Sequence, residues 1–314
     1  MFTNILLLAT TAIALVVHAA EAPTKANSTI KFDTLDALYR GNQRFRASAG
    51  RRAVAARVVE EPPSFMFIGC LDNRYIANLE GFFHIYSTFE RLSPAAIFQT
   101  PVGSIVSQNN IANQYSSKDI STDTAVTYAV ETLDVKHIIV LGHYGCKGVQ
   151  TAINGTKSRP NGPATKWIQP VIDMYRRSRR QEIVQLRDSR MPRRGLRNGV
   201  TEAPKADEPG FRALVEENVK KSVKALRSQS ILAKAYQRGA KGNGKNTGIE
   251  VFVHGLVHDP ATGEVKNLGV SFGPPGKKVP KVPFAAIAAA KNFQGDKHLP
   301  GFFTGKKLKS VSIT

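Results

Sequence analysis

Two short strings hold most of this chain's chemistry: Cys70-Leu71-Asp72-Asn73-Arg74 and His143-Tyr144-Gly145-Cys146. Two thiolates and an imidazole are ligands that zinc takes. A structural zinc site is closed by four strong ligands, usually delivered as tight pairs; here Cys70, His143 and Cys146 leave a fourth position for water. Zinc acidifies such a water, less strongly beside two thiolates, which cancel the formal charge of the ion. Asp72, two residues beyond Cys70 along an extended segment, falls on the ligand side. It either accepts a hydrogen bond from zinc-bound hydroxide or becomes the fourth ligand. Arg74, two residues further on, can hold that carboxylate in a bidentate fork. The expected reaction is attack by zinc-bound hydroxide on a small electrophile. A Cys70–Cys146 disulfide, the other use an exported chain has for its only two cysteines, explains neither Asp72-x-Arg74 nor His143.

The elements that must position these residues are short apolar runs, Phe65 to Ile68 and Ile138 to Leu141, each followed by one glycine and then the site. Such runs read as buried parallel strands that stop in a tight turn. Side by side in one sheet, they bring both strings to the crevice at the carboxyl edge, where α/β folds place ligands. Thr122 to Leu133 reads as a helix with Ala125, Ala129, Val130 and Leu133 on one face, and Trp167 to Tyr175 and Phe211 to Leu226 show the same spacing. Ala95 to Phe98 reads as a further strand and Ile249 to Val257 as the last long one. His254 and His258 on that strand read as structural rather than ligating.

C-x-D-x-R followed by H-x-x-C, each after a buried strand, resembles the β-class carbonic anhydrases. The likeness extends to Thr34–Phe45, similar to the family's opening helix, to Thr127–Glu131 and Val135–His143, and to Val253–Asp259 with Thr262-Gly263 and Leu268-Gly269-Val270, similar to its final hairpin. It implies an α/β fold with a mostly parallel central sheet flanked by helices and ending in a hairpin. It implies zinc on Cys70, His143 and Cys146, with Asp72 as catalytic residue or resting ligand and Arg74 as its positioner. The implied reaction is reversible hydration of carbon dioxide to bicarbonate and a proton, in a homodimer or larger homo-oligomer. Carbonyl sulfide or carbon disulfide hydrolysis on the same scaffold is the alternative, as is a catalytically weak secreted protein that binds polyanions.

Three positions depart from the family's pattern. Glu61 stands where a substrate-binding glutamine is common, and an ionised carboxylate cannot donate to bicarbonate and repels it. Thr100-Pro101 replaces Arg-Asn, and Lys147 follows the second cysteine where small residues are usual. Ile97 and Tyr128 match positions lining the apolar cleft for carbon dioxide, so Glu61, Ile97 and Tyr128 form the expected substrate pocket.

Length and a hydrophobic content of 42% suit one large domain. Ile5 to Val17 is too short to span a bilayer and ends near Ala19 and Ala20, as a secretory signal peptide does. The expected organisation is a signal peptide over 1–20, a polar leader over 21–31, the catalytic domain over 32–272 and a basic extension over 273–314, with no transmembrane anchor. Residues 176 to 197, with nine arginines, read as a solvated or disordered part of a basic insertion over about 176–209. Asn27-Ser28-Thr29 and Asn154-Gly155-Thr156 fit the glycosylation sequon of a secreted glycoprotein. The net charge of +20 suits an acidic polysaccharide or another anionic surface, or the capture of bicarbonate. Aromatic residues are sparse in the basic runs, which argues against a specific nucleic-acid module.

Overall fold

The computed structural model describes residues 62–72, 93–101, 103–155, 162–191, 202–241 and 248–288, together with Tyr39 and Gln43. The chain divides into two units, residues 1–51 and 52–314, and of the first only Tyr39 and Gln43, both helical, are described. The expected signal peptide and leader, the rest of the opening helix, the Asn27 sequon, Glu61, Arg74, Thr156 and the tail after residue 288 lie outside the described residues.

Five strands, β1 (Phe65–Cys70), β2 (Ile105–Asn110), β3 (His137–His143), β4 (Phe252–His258) and β5 (Val265–Phe272), form one sheet in the order β2-β1-β3-β4-β5. The first four are parallel and β5 returns antiparallel to β4, giving the mixed sheet and final hairpin that the resemblance implies. β1, β3 and β4 are covered on both faces; β1 and β3 carry continuous apolar runs, and β4 is interrupted by His254. β2, Ile-Val-Ser-Gln-Asn-Asn, is only part-buried at the sheet edge and carries too little apolar signal to stand out in the sequence.

Seven helices are described: α1 (Pro94–Phe98), α2 (Ile120–Glu131), α3 (Lys147–Asn154), α4 (Pro163–Arg177), α5 (Gln181–Ser189), α6 (Pro209–Gln229) and α7 (Ile231–Lys241). α6 lies against β3, β4 and β5 and buries Leu214, Val215, Val219, Val223 and Leu226 in the main core. A smaller cluster of Phe67, Ile139, Leu141 and Leu256 occupies the other sheet face, where Ile97, Val282 and Phe284 cover it. Residues 285–287 then bond to Asn267 of β5, so the start of the basic extension wraps the sheet edge.

Three expectations are corrected. Ala95 to Phe98 is helical because Ser93 caps it, its Oγ accepting from Ala96 N at 3.2 Å, and Pro94 pre-sets the first turn. The arginine-rich stretch is not loose as far as Met191: α5 buries Ile183 and Leu186, one helical turn apart. Gly69 and Gly142 are not turn residues but strand residues at points of close approach. A Cβ on Gly142 would sit 2.5 Å from Val219 Cγ2 of α6, and one on Gly69 would sit 2.5 Å from Asn109 Oδ1.

Candidate metal centre

β1 and β3 are neighbours although β2 lies between them in sequence, so the crevice at their carboxyl ends is a topological switch point. Cys70 ends β1 and His143 ends β3. Gly145, with φ 75°, turns the chain so that Cys146 stands at the cap of α3. The ligating atoms of Cys70, His143 and Cys146 all lie within 4.8 Å of one another, and all three residues are buried. Among the described residues this is the group of three or more His, Cys, Asp or Glu side chains able to hold a metal ion. The two sulfurs are 3.3 Å apart and unbonded, so the disulfide is not formed.

His143 Nδ1 lies 3.2 Å from Tyr144 O, which places the proton on Nδ1 and leaves Nε2 as the free lone pair. Nε2 is buried and has no hydrogen-bond partner. An orphaned imidazole nitrogen grouped with two sulfurs suits zinc's preference for nitrogen and sulfur ligands. Cys70 Sγ accepts from Asp72 N and Ala112 N, each at 3.4 Å. Ala112 is left-handed at φ 63°, and Asn218 of α6 holds it by donating to its carbonyl at 2.7 Å. The Cys146 S–H, followed by His143, draws the Cys70 thiol down against its burial, while the same bond and full burial push Cys146 up. A divalent cation between the two sulfurs would let both ionise.

Asp72 lies beside them, part-exposed, and its Oδ2 accepts from Lys147 N at 3.1 Å at the positive end of α3. The Lys147 ammonium turns along the helix to Gln150 Oε1 at 3.3 Å. Ile97 packs into the smaller core cluster, and Tyr128 is 54% exposed on α2. His254 bonds to His137 and to Ser271, at 3.2 and 3.1 Å, and stands outside the metal group.

Sequence reasoning missed Tyr144, the residue between the two ligands of the second string. Its hydroxyl donates to buried Glu216 Oε1 at 2.8 Å, and its ring lies under Arg212, whose Cζ is 3.5 Å from the centroid. No signal pointed to this, because the partners are on α6, 72 residues away in the case of Glu216.

The family profile described as "Carbonic anhydrase" matches residues 90–265, more than half of the chain. The chain belongs to the β-class carbonic anhydrase family. It is 28% identical to a carbonic anhydrase of Emericella nidulans over 212 residues, covering 68% of this chain and 72% of the relative. A carbonic anhydrase of Candida albicans is 25% identical over 210 residues, 67% of this chain and 58% of that one. Among solved structures, the β-carbonic anhydrase of Coccomyxa in complex with acetazolamide superposes with a TM-score of 0.54 at 24% identity, covering 77% of this chain and 89% of that one. A tetrameric β-carbonic anhydrase of Sordaria macrospora gives 0.52 at 22%, covering 75% and 98%. β-Carbonic anhydrases use zinc, and Cys70, His143 and Cys146 are a group that can hold it. The matched stretch contains His143 and Cys146; Cys70 and Asp72 precede it and join it through the bonds from Ala112 N and Lys147 N.

Proposed function

We propose that this chain catalyses the zinc-dependent, reversible hydration of carbon dioxide to bicarbonate and a proton. The observation that carries the reading is the convergence of the Cys70, His143 and Cys146 ligand atoms in a member of this family. Zinc held there supplies Lewis acidity and an acidified water. Asp72, anchored by Lys147 N, accepts a hydrogen bond from the attacking water and so orients it; its other role is as a resting ligand. By the family resemblance, Arg74 would be the residue that positions the Asp72 carboxylate. The family resemblance would put Glu61 and Ile97 in the substrate pocket, where a neutral Glu61 can donate to bicarbonate and an ionised one repels it. Tyr128, exposed in the single chain, completes the pocket when a second copy covers it. That fits a homodimer or larger assembly, and the Sordaria relative is described as tetrameric.

The apolar run Ile5–Val17 and the small residues after it support secretion, with a cleaved signal peptide over 1–20, a polar leader over 21–31, the catalytic domain over 32–272 and a basic extension after it. Among the described residues no helix is long and apolar enough to cross a membrane.

Stopped-flow carbon dioxide hydration by the purified protein, with zinc content determined on the same sample before and after chelation, tests the reading. The expected result is fast, chelator-sensitive hydration with about one zinc per chain. Full zinc occupancy without hydration overturns it and moves the assay to carbonyl sulfide and carbon disulfide, then to polyanions.

A further inference from the structure

We infer that Tyr144 is a positioning residue for the metal centre: clamped between Glu216 and Arg212, it holds the carbonyl that orients His143. The inference rests on the zinc reading above. His143 takes its tautomer and ring angle from one hydrogen bond, Nδ1 to Tyr144 O at 3.2 Å. Whatever fixes the Tyr144 backbone therefore fixes the direction of Nε2, and second-shell partners of this kind govern metal affinity.

Tyr144 is held at three points. Its N–H donates to His258 O at 3.0 Å, joining the end of β3 to the end of β4. Its hydroxyl donates to Glu216 Oε1 at 2.8 Å, and the other oxygen of that buried carboxylate pairs with Arg180 at 2.7 Å. Arg212 covers the ring and pairs with Asp259 Oδ2 at 2.7 Å. Asp259 in turn closes the β4–β5 turn through Ala261 N and Gly263 N. Burial opposes the Asp259 charge, but Arg212 holds that carboxyl below the usual range, so the pair over the ring stays ionised. Two ion pairs with buried carboxylates and part-exposed guanidinium groups, Arg180–Glu216 on one side and Arg212–Asp259 on the other, thus meet at one aromatic ring next to a ligand. A tyrosine needed only to fill space would not require both pairs, since each costs desolvation that packing alone avoids.

The test compares Tyr144→Phe, Glu216→Gln and Glu216→Leu with the unaltered protein and with Cys70→Ser, in zinc affinity by chelator competition and in the visible spectrum of the cobalt(II)-substituted protein. Tyr144→Phe removes one hydroxyl and keeps the ring, so the fold is retained, as circular dichroism and melting of the metal-free protein verify. Its zinc affinity falls about tenfold, the lower end of the range for second-shell partners, and its cobalt ligand-field bands shift. Glu216→Leu behaves likewise, while Glu216→Gln, which keeps an acceptor for the hydroxyl, recovers most of the affinity. A cobalt protein whose thiolate charge-transfer bands match those of Cys70→Ser overturns the zinc reading and the clamp together. Normal thiolate bands, with spectrum and affinity unmoved in Tyr144→Phe and Glu216→Leu, overturn the clamp alone.

Discussion

Cys70 and Asp72 share one strand end, and what separates their roles is exposure: the sulfur is buried, the carboxylate reaches solvent at the head of α3. Asp72→Asn keeps the size and the acceptor for Lys147 N but cannot take a proton. The expected outcome is zinc retained at about one per chain with hydration slowed about 100-fold or more, as for loss of a general base, read by stopped flow on a metal-assayed sample. His254 makes a second prediction. Burial, then His137, holds it at about 4, below the ordinary imidazole. The unfolded chain therefore binds more protons between about 6.5 and the folded value. Its contribution to stability is full above that window and is lost as pH falls through it, about 2 kcal/mol between pH 7 and pH 5. Urea unfolding at the two pH values checks this, and in His254→Gln the difference shrinks by about that amount. The ligands themselves were legible because thiolate and imidazole have few other uses at that spacing. The N–H of Ala112 on Cys70 was not, since a left-handed alanine held by an asparagine on α6 leaves no local mark.

Among the elements, β1 and β3 could be read because burial on both faces forces unbroken apolar runs. α1 and β2 could not, the first because four apolar residues fit strand and helix alike, the second because an edge strand tolerates polar residues. The glycines were noticed for the wrong reason. At Gly142 the requirement is room for Val219, so Gly142→Ala should destabilise by about 1–3 kcal/mol through overpacking between β3 and α6. Adding Val219→Ala should recover part of that loss, and a double-mutant cycle in urea measures how much.

For the whole molecule, the ordering of the arginine-rich stretch as far as Met191 came from α5 packing its Ile183 and Leu186 inward. Charge says nothing about such packing. The secretion proposal predicts that protein recovered from the medium of a eukaryotic host starts near residue 21 by N-terminal sequencing; an intact Met1 there contradicts it. The order β2-β1-β3 has a consequence for assembly of the native state. Cys70 and Cys146 are 76 residues apart and meet only when β3, and not the intervening β2, lies on that side of β1. The denatured chain offers zinc only short local pairs such as His143-x-x-Cys146, so the ion binds the finished topology far better than any precursor. Capture of the ion thus serves as a checkpoint on chain folding: a molecule that has miswired its first crossover has no complete claw to present, and cannot be locked by the metal.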